Sequence, residues 1–345
     1  LSRWFIPEPW VTPSLFAATG ASTDAELQEN LGTVEYNERI RQHYETFITE
    51  EDFRRMSSIG LNAVRIPVPW HVFGLQNDAA TYISAIDYID RAMEWGSKYN
   101  VSVLLDLATV PGGQGDSNEP QTTSRYIADW HSSTNGRHVA LEVLERLAAR
   151  YAVADALYGI ELLDSPVMSV RKNMFTMTDG IPGHYLRNFY RDAYDLLRKH
   201  MTNDKAVVFS ASGYPGLWKH FMRSSQYKNV MMDVHLYHYH DENAQDITSP
   251  RGLSAAIARN KAQIREAVGT GFPVIIGEWS AAAVMSSASV TPEGRSAYER
   301  VFVANQLASF SQAEGWFFQT WKTEKRIAAW DARLALGTLE RAMLD

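Results

Sequence analysis

The sequence contains no cysteine. That excludes disulfides, thiolate catalysis and cysteine-ligated zinc, and it leaves the redox compartment open. Positive charge is also in short supply: 33 Lys and Arg against 40 Asp and Glu give a net charge of −7, with a pI near 5.8. Nucleic-acid binders need basic surface, so no nucleic-acid partner is expected. No run of eighteen apolar residues occurs, so no membrane span is expected either. Low-complexity linkers and internal repeats are missing, and nothing divides the chain. Its 345 residues, 45 % of them hydrophobic, suffice for one large buried core spanning 1–345. There is no signal peptide, and the first residue is Leu1 rather than Met, as expected of a processed or trimmed chain.

What is plentiful is aromatic. Ten Trp and sixteen Tyr serve mostly as packing, but the faces of sugar rings also stack on indole, so this composition suits carbohydrate. Short β-rich apolar runs lie at 63–67, 101–107, 158–163, 206–210, 230–236, 274–277 and 316–320. Amphipathic, helix-like stretches lie near 49–59, 82–99, 137–151, 183–200, 252–268 and 294–313. The first of these has Thr49 as N-cap, the acidic run Glu50-Glu51-Asp52 complementing the helix dipole, and Gly60 past its end. Strands separated by helices indicate βα units, a parallel sheet and an α/β fold, the (β/α)8 TIM barrel. Seven strands are one short of eight, and the missing one falls at the extreme N-terminus. The polar, Gly-rich stretch 111–129 follows a strand and is expected to be a loop on the catalytic face. Asn100-Val101-Ser102 fits the N-glycosylation pattern.

In such a barrel, chemistry sits where strands end. The predicted ends carry Arg65, Ala108, Asp164-Ser165, His235 and Tyr237, Glu278, and Trp321. Any one of these alone is most simply a rim residue. Together, an Arg, a His, a Tyr, a Glu and a Trp converging on one rim describe a polar, aromatic pocket of the kind that binds sugar.

Six segments then carry a family likeness. They are Glu8-Pro9-Trp10-Val11-Thr12-Pro13-Ser14, the stretch from His43 to Phe53, Asn62-Ala63-Val64-Arg65-Ile66-Pro67, Gly159-Ile160-Glu161-Leu162-Leu163, Ile276-Gly277-Glu278-Trp279-Ser280, and the stretch from Gly315 to Glu324. In order and content the chain resembles glycoside hydrolase family 5, in its exo-β-1,3-glucanase branch known from fungi. The resemblance implies a retaining mechanism, in which two carboxyl groups about 5 Å apart flank the scissile bond. It puts Glu278 at the nucleophile position, a stacking role on Trp321, and sugar contacts on Arg65, His235 and Tyr237. It implies β-1,3-glucan oligosaccharides of the laminarin type as ligand, no cofactor, and a secreted or cell-wall location.

The likeness breaks at four places. The family opens with a strand ending Asn-Leu-Gly-Gly-Trp, where this chain has Leu1-Ser2-Arg3-Trp4. The acid stands in an Asn-Glu-Pro tripeptide, where this chain has Asp164-Ser165-Pro166. A Ser hydroxyl is far too weak an acid to replace it, and general acid catalysis is worth about 10²–10⁴-fold. Asp164 replaces an amide donor with an acceptor-only carboxylate. Asp106-Leu107-Ala108 stands where the family has Asp-Leu-His, which removes an imidazole from the first subsite. The expected protein therefore binds β-glucan oligosaccharides without hydrolysing them. The alternative readings are a residual retaining glucosidase or transglycosidase acting through Glu278 on activated substrates, and a protein whose pocket no longer binds sugar.

Two further groups were weighed. Three His in His235-Leu236-Tyr237-His238-Tyr239-His240-Asp241 have a metal-like spacing, but imidazoles in such a segment are more often hydrogen-bonded, and no metal is expected. Trp10, Trp70 and Trp279 join Trp321 as candidate sugar platforms, whereas Phe317-Phe318 is expected to pack.

Overall fold

The computed structural model describes residues 1, 3–76, 81–112, 130–173, 176–239, 245–285 and 291–337. Most of the expected 111–129 loop, and His240 and Asp241, lie outside the described residues.

Seven parallel strands form a nearly closed barrel: β1 Ala63–Val68, β2 Ser102–Leu107, β3 Leu157–Glu161, β4 Ala206–Ser210, β5 Val230–His238, β6 Val274–Ala283 and β7 Gly315–Phe318. They are hydrogen-bonded in chain order from β1 to β7, with register such as Asp106 opposite Glu161 and Glu278 opposite His235. Helices alternate with them: α1 Asp24–Thr46, α2 Glu50–Ser58, α3 Ile86–Tyr99, α4 Thr134–Tyr151, α5 Gly183–Leu197, α6 Pro250–Val268, α7 Pro292–Ser309 and α8 Ala332–Ala335. No described helix is long and apolar enough to cross a membrane.

Helix starts follow the sequence closely. Ser133, Ser249 and Thr291 each accept a backbone N–H through the hydroxyl, and Thr49 and Asp52 form a reciprocal capping box. Helix α1 was not anticipated. It has few apolar positions and kinks at Gly32, so its hydrophobic period is faint. Its start did carry a legible signal in Thr23-Asp24-Ala25-Glu26, where the Thr23 hydroxyl accepts the Glu26 N–H at 3.2 Å.

Strand alternation sorts the interior. Val103, Leu105, Val207, Phe209, Met232 and Ile276 belong to the large core between sheet and helices. Their neighbours Leu104, Ala206, Val208, Met231 and Ile275, with Phe317, pack together as a separate small cluster. These fill the lower barrel interior. The next inward positions upward on the same strands are Asp106, Ser210, Asp233 and Gln319, and Arg65 and Glu161 share the layer. An apolar floor thus carries a polar upper layer.

Between β1 and β7, where a closed barrel would have another strand, lies a cavity of about 380 Å³ lined by residues of both strands and by Leu1, Trp321 and Leu336. The Leu1 nitrogen donates to the Arg65 carbonyl at 2.5 Å, and Trp4 is fully buried with its indole N–H on the Tyr44 carbonyl. Leu1 thus lies at the rim of this seam.

The floor is tight. A Cβ on Gly159 would lie 2.3 Å from the Ala206 carbonyl oxygen, which is backbone and cannot swing aside. Gly159→Ala should therefore destabilise the fold by about 1–3 kcal/mol despite its better strand propensity. Urea unfolding would measure this; a neutral result would mean that β3 and β4 can part without cost.

Candidate active site

The upper layer is organised by Arg65 on β1, which is 3 % exposed. Its Nε donates to Glu161 Oε2 at 2.8 Å, Nη1 to Glu278 Oε1 at 3.1 Å, and Nη2 to Asp164 Oδ1 at 3.0 Å. Nη2 also lies 3.2 Å from Asp106 Oδ2. Asp106, Glu161 and Asp164 bring their oxygens close enough to hold a cation, and the guanidinium supplies that charge. Burial pushes the Glu161 carboxyl up to about 8 against the pull of Arg65. Burial pushes Asp106 well up too.

Glu278 reaches this layer through a bulge. Between Ile276 and Glu278 the register with β5 shifts by one residue, and Gly277 is the extra one. Gly277 is required there because Asp233 fills the space: a Cβ would meet its Oδ1 at 2.2 Å, and the Gly277 N–H donates to that oxygen at 2.6 Å. Glu278 is 2 % exposed and accepts from the Tyr237 hydroxyl at 2.8 Å. Burial would raise its pKa, but His235, Arg65 and Arg3 outweigh burial and hold it below the ordinary carboxylate value. It is an ionised, oriented carboxylate.

Beyond β3 the chain presents Asp164 and Ser165. Ser165 has φ +37°, a left-handed conformation that costs a non-glycine residue of order 1–3 kcal/mol. Its Oγ lies 2.8 Å from His235 Nδ1, and His235 Nε2 lies 2.7 Å from Asp233 Oδ2. Burial would lower the His235 pKa, but Asp233, Glu278 and Asp164 raise it to about 10. At neutral pH both ring nitrogens carry protons, so Nδ1–H donates to Ser165 and Nε2–H to Asp233. Ala108 follows β2, buried, with its N–H on the Val68 carbonyl.

The structure thus brings together Arg65, Asp164, Ser165, His235, Tyr237 and Glu278. It corrects Trp321, which is buried with its indole N–H on Asp52 Oδ1 at 2.8 Å, against α2 and the seam rather than beside Glu278. The residue of that stretch that meets the site is Gln319, two positions earlier. In the orientation that satisfies its neighbours, its amide nitrogen faces Glu278 Oε2 at 3.1 Å and its oxygen accepts from Arg3 at 2.8 Å. Strand alternation from Phe317 would have located it. Trp279 is also no platform: it is fully buried against Phe310, Trp316 and Phe318. His238 bonds to Asn260 and Arg259.

Three other participants were not anticipated. Arg3 is 2 % exposed, lies 2.9 Å from Glu8 and acts electrostatically on Glu278. It has φ +81°, and it stands where the family sequence has glycine, which was the available signal. Asp233 lies two residues before His235 on the same inward face. Trp330 packs edge-on to half-buried Trp10 at 5.2 Å and to exposed Tyr239 at 5.0 Å, and tilts over Tyr237 at 5.9 Å. These rings form an aromatic wall that leads to Glu278. Trp70 is half-buried after β1, with its ring edge-on to His71 and Tyr82.

Replacing Arg65 by Met leaves several buried carboxyl groups without their cation. The loss should be about 3–5 kcal/mol at pH 7. Those groups can take up protons in acid, so the deficit relative to the parent should shrink towards pH 5. Urea unfolding at both pH values checks this, and an equal deficit at both would refute the electrostatic account.

Residues 20–311 match the cellulase family, glycosyl hydrolase family 5. The chain is 30 % identical over 386 aligned positions to a probable glucan 1,3-β-glucosidase A of Emericella nidulans, covering all of this chain and 90 % of that one. It is 29 % identical to a glucan 1,3-β-glucosidase of Schwanniomyces occidentalis, covering 96 % and 83 %. Among solved structures, rutinosidase from Aspergillus niger superposes with a TM-score of 0.77 at 20 % identity, over 96 % of this chain and 90 % of that one. A family 5 xyloglucanase from Paenibacillus pabuli superposes with 0.58 at 14 % identity, over 86 % and 89 %. The extent of the family match and the full-length similarity to the glucosidases decide the matter: the chain belongs to glycosyl hydrolase family 5.

Proposed function

We propose that this chain is a β-glucan-binding member of the family whose hydrolysis of glucan is severely impaired. The observation that carries the reading is Ser165, whose Oγ is bonded to His235 in the position that the resemblance gives to the acid. A retaining mechanism needs a second carboxyl group to protonate the departing oxygen and then to activate water. The nearby carboxyl groups are committed elsewhere: Asp164 and Glu161 accept from Arg65 on the barrel side of the site. Loss of the acid is worth about 10²–10⁴-fold, and a sugar alkoxide, a poor leaving group, falls at the upper end.

The ligand is inferred from the relatives named glucan 1,3-β-glucosidase and from the wall of Trp10, Trp330 and Tyr239. It is an oligosaccharide of the laminarin type, met outside the cell or in the cell wall. A second reading, residual turnover of activated glucosides, is favoured by Glu278, which remains ionised and held by Tyr237 and Arg65 as a nucleophile would be.

Calorimetric titration with laminarioligosaccharides of increasing length, followed by analysis of the recovered sugar, tests the proposal. Saturable heat with uncut sugar is expected. Cleavage that disappears in Glu278→Gln would overturn the impairment, and the absence of heat at every length would overturn binding. The triple change Ser165→Glu, Asp164→Asn and Ala108→His should raise laminarin hydrolysis above the parent.

A further inference from the structure

We propose that His235 and Ser165 form a proton relay in place of the missing carboxylic acid, and that the glycosides this site can still cleave are those with phenolic leaving groups. The inference rests on reading Glu278 as a retained nucleophile.

Three groups stand in line. Asp233 is fixed by the Gly277 N–H, holds His235 Nε2 at 2.7 Å, and is 0 % exposed. His235 Nδ1 in turn lies 2.8 Å from Ser165 Oγ and 3.7 Å from Glu278 Oε2. Ser165 Oγ and the Glu278 carboxylate therefore border one ring nitrogen.

The same order of groups makes a nucleophilic triad when the imidazole is neutral and can take the serine proton. Here it is charged. Asp233 and Tyr237 face it from its own strand, Asp164 from beyond β3 at 3.8 Å, and Glu278 from β6, while Arg65 lies behind the last two. Carboxylates outnumber cations around the ring, and the proton stays on. His235 is thus a proton donor, and Ser165, which accepts from it, is left with its own hydroxyl hydrogen to give.

Glu278 attacks the anomeric carbon as the bond from that carbon to the phenolic oxygen breaks. The departing oxygen takes the Ser165 proton while Ser165 takes the Nδ1 proton, which leaves a glycosyl ester on Glu278, a phenol and neutral His235. Water then attacks the ester at the same carbon and passes a proton back through Ser165 to His235, and Glu278 leaves as carboxylate. A donor with a pKa of about 10 gives only partial assistance. That is enough for a phenol, whose own pKa is about 10, and too little for a sugar hydroxyl.

The test uses aryl β-glucosides spanning dinitrophenyl to unsubstituted phenyl, with the parent, Ser165→Gly and Ser165→Ala. Glycine suits the φ of +37° at this position, so loss of the hydroxyl can be separated from loss of the fold. The parent should show a shallow dependence of rate on leaving-group pKa, and both variants a steep one. Phenyl glucoside should lose about 10–100-fold and the dinitrophenyl substrate least. Parent turnover of phenyl glucoside should fall as pH rises through about 10, where His235 gives up its proton, and the variants should lack that fall. Equal slopes in parent and variants would overturn the relay. Failure of a dinitrophenyl 2-deoxy-2-fluoro-glucoside to label Glu278 in the parent would instead overturn the reading of Glu278 on which the relay rests.

Discussion

Five carboxyl groups, Asp106, Glu161, Asp164, Asp233 and Glu278, crowd the upper interior of this barrel, and all five are at most 3 % exposed. An isolated buried carboxylate is too costly to keep, so such a cluster exists only with compensating charge. Arg65 provides it by touching four of the five, and His235 provides it for Asp233. The planar fork of guanidinium suits this task because its donors diverge in fixed directions, and a lysine could not serve several carboxylates at once. The division between raised and lowered groups follows from this arrangement. Burial raises Glu161 and Asp106, whereas Glu278 and Asp233, nearest to His235, are held below the ordinary carboxylate value.

That division is why Glu278 is held as an oriented carboxylate with a serine at residue 165. The ionisation of Glu278 depends on Arg65, His235, Arg3 and Tyr237, and none of these depends on residue 165 carrying a carboxyl group. The surroundings of Glu278 on β6 and the Asp164-Ser165 segment after β3 are separate constructions, on strands that are not adjacent in the sheet. One can decay while the other stands, and the Arg65 network has a structural reason to persist in either case.

Much of this could be read in the chain. The strands were located to within a few residues at most ends, because parallel strands buried on both faces read as short apolar runs. Glu278, His235, Tyr237 and Arg65 were found together because chemistry in a barrel collects at strand ends. What was missed has physical causes. The bulge at Gly277 breaks the alternation that would index β6, and Trp321 was matched by the tempting indole rather than by parity from Phe317, which selects Gln319. Helix α1 buries too few apolar residues to show a period. Asp233 reads as an ordinary strand residue, because only the fold brings its carboxylate into the space over Gly277.

Two residues with positive φ frame the nucleophile, Arg3 and Ser165, and each stands where the family pattern has a different side chain. A left-handed backbone at non-glycine positions is retained only where the surroundings over-determine it. Arg3 is held by Glu8 and Gln319, and Ser165 by His235. Arg3 adds a second guanidinium near Glu278 and so stabilises its carboxylate further, which makes it a weaker nucleophile towards an unactivated bond. Ser165 puts a hydroxyl where the resemblance gives the acid. On the proposed reading both changes act in the same direction, against cleavage of a glycosidic bond between sugars, and neither disturbs the aromatic wall of Trp10, Trp330 and Tyr239 by which a glucan would be held. On that reading binding and bond cleavage use different parts of this rim, and the substitutions fall on the second.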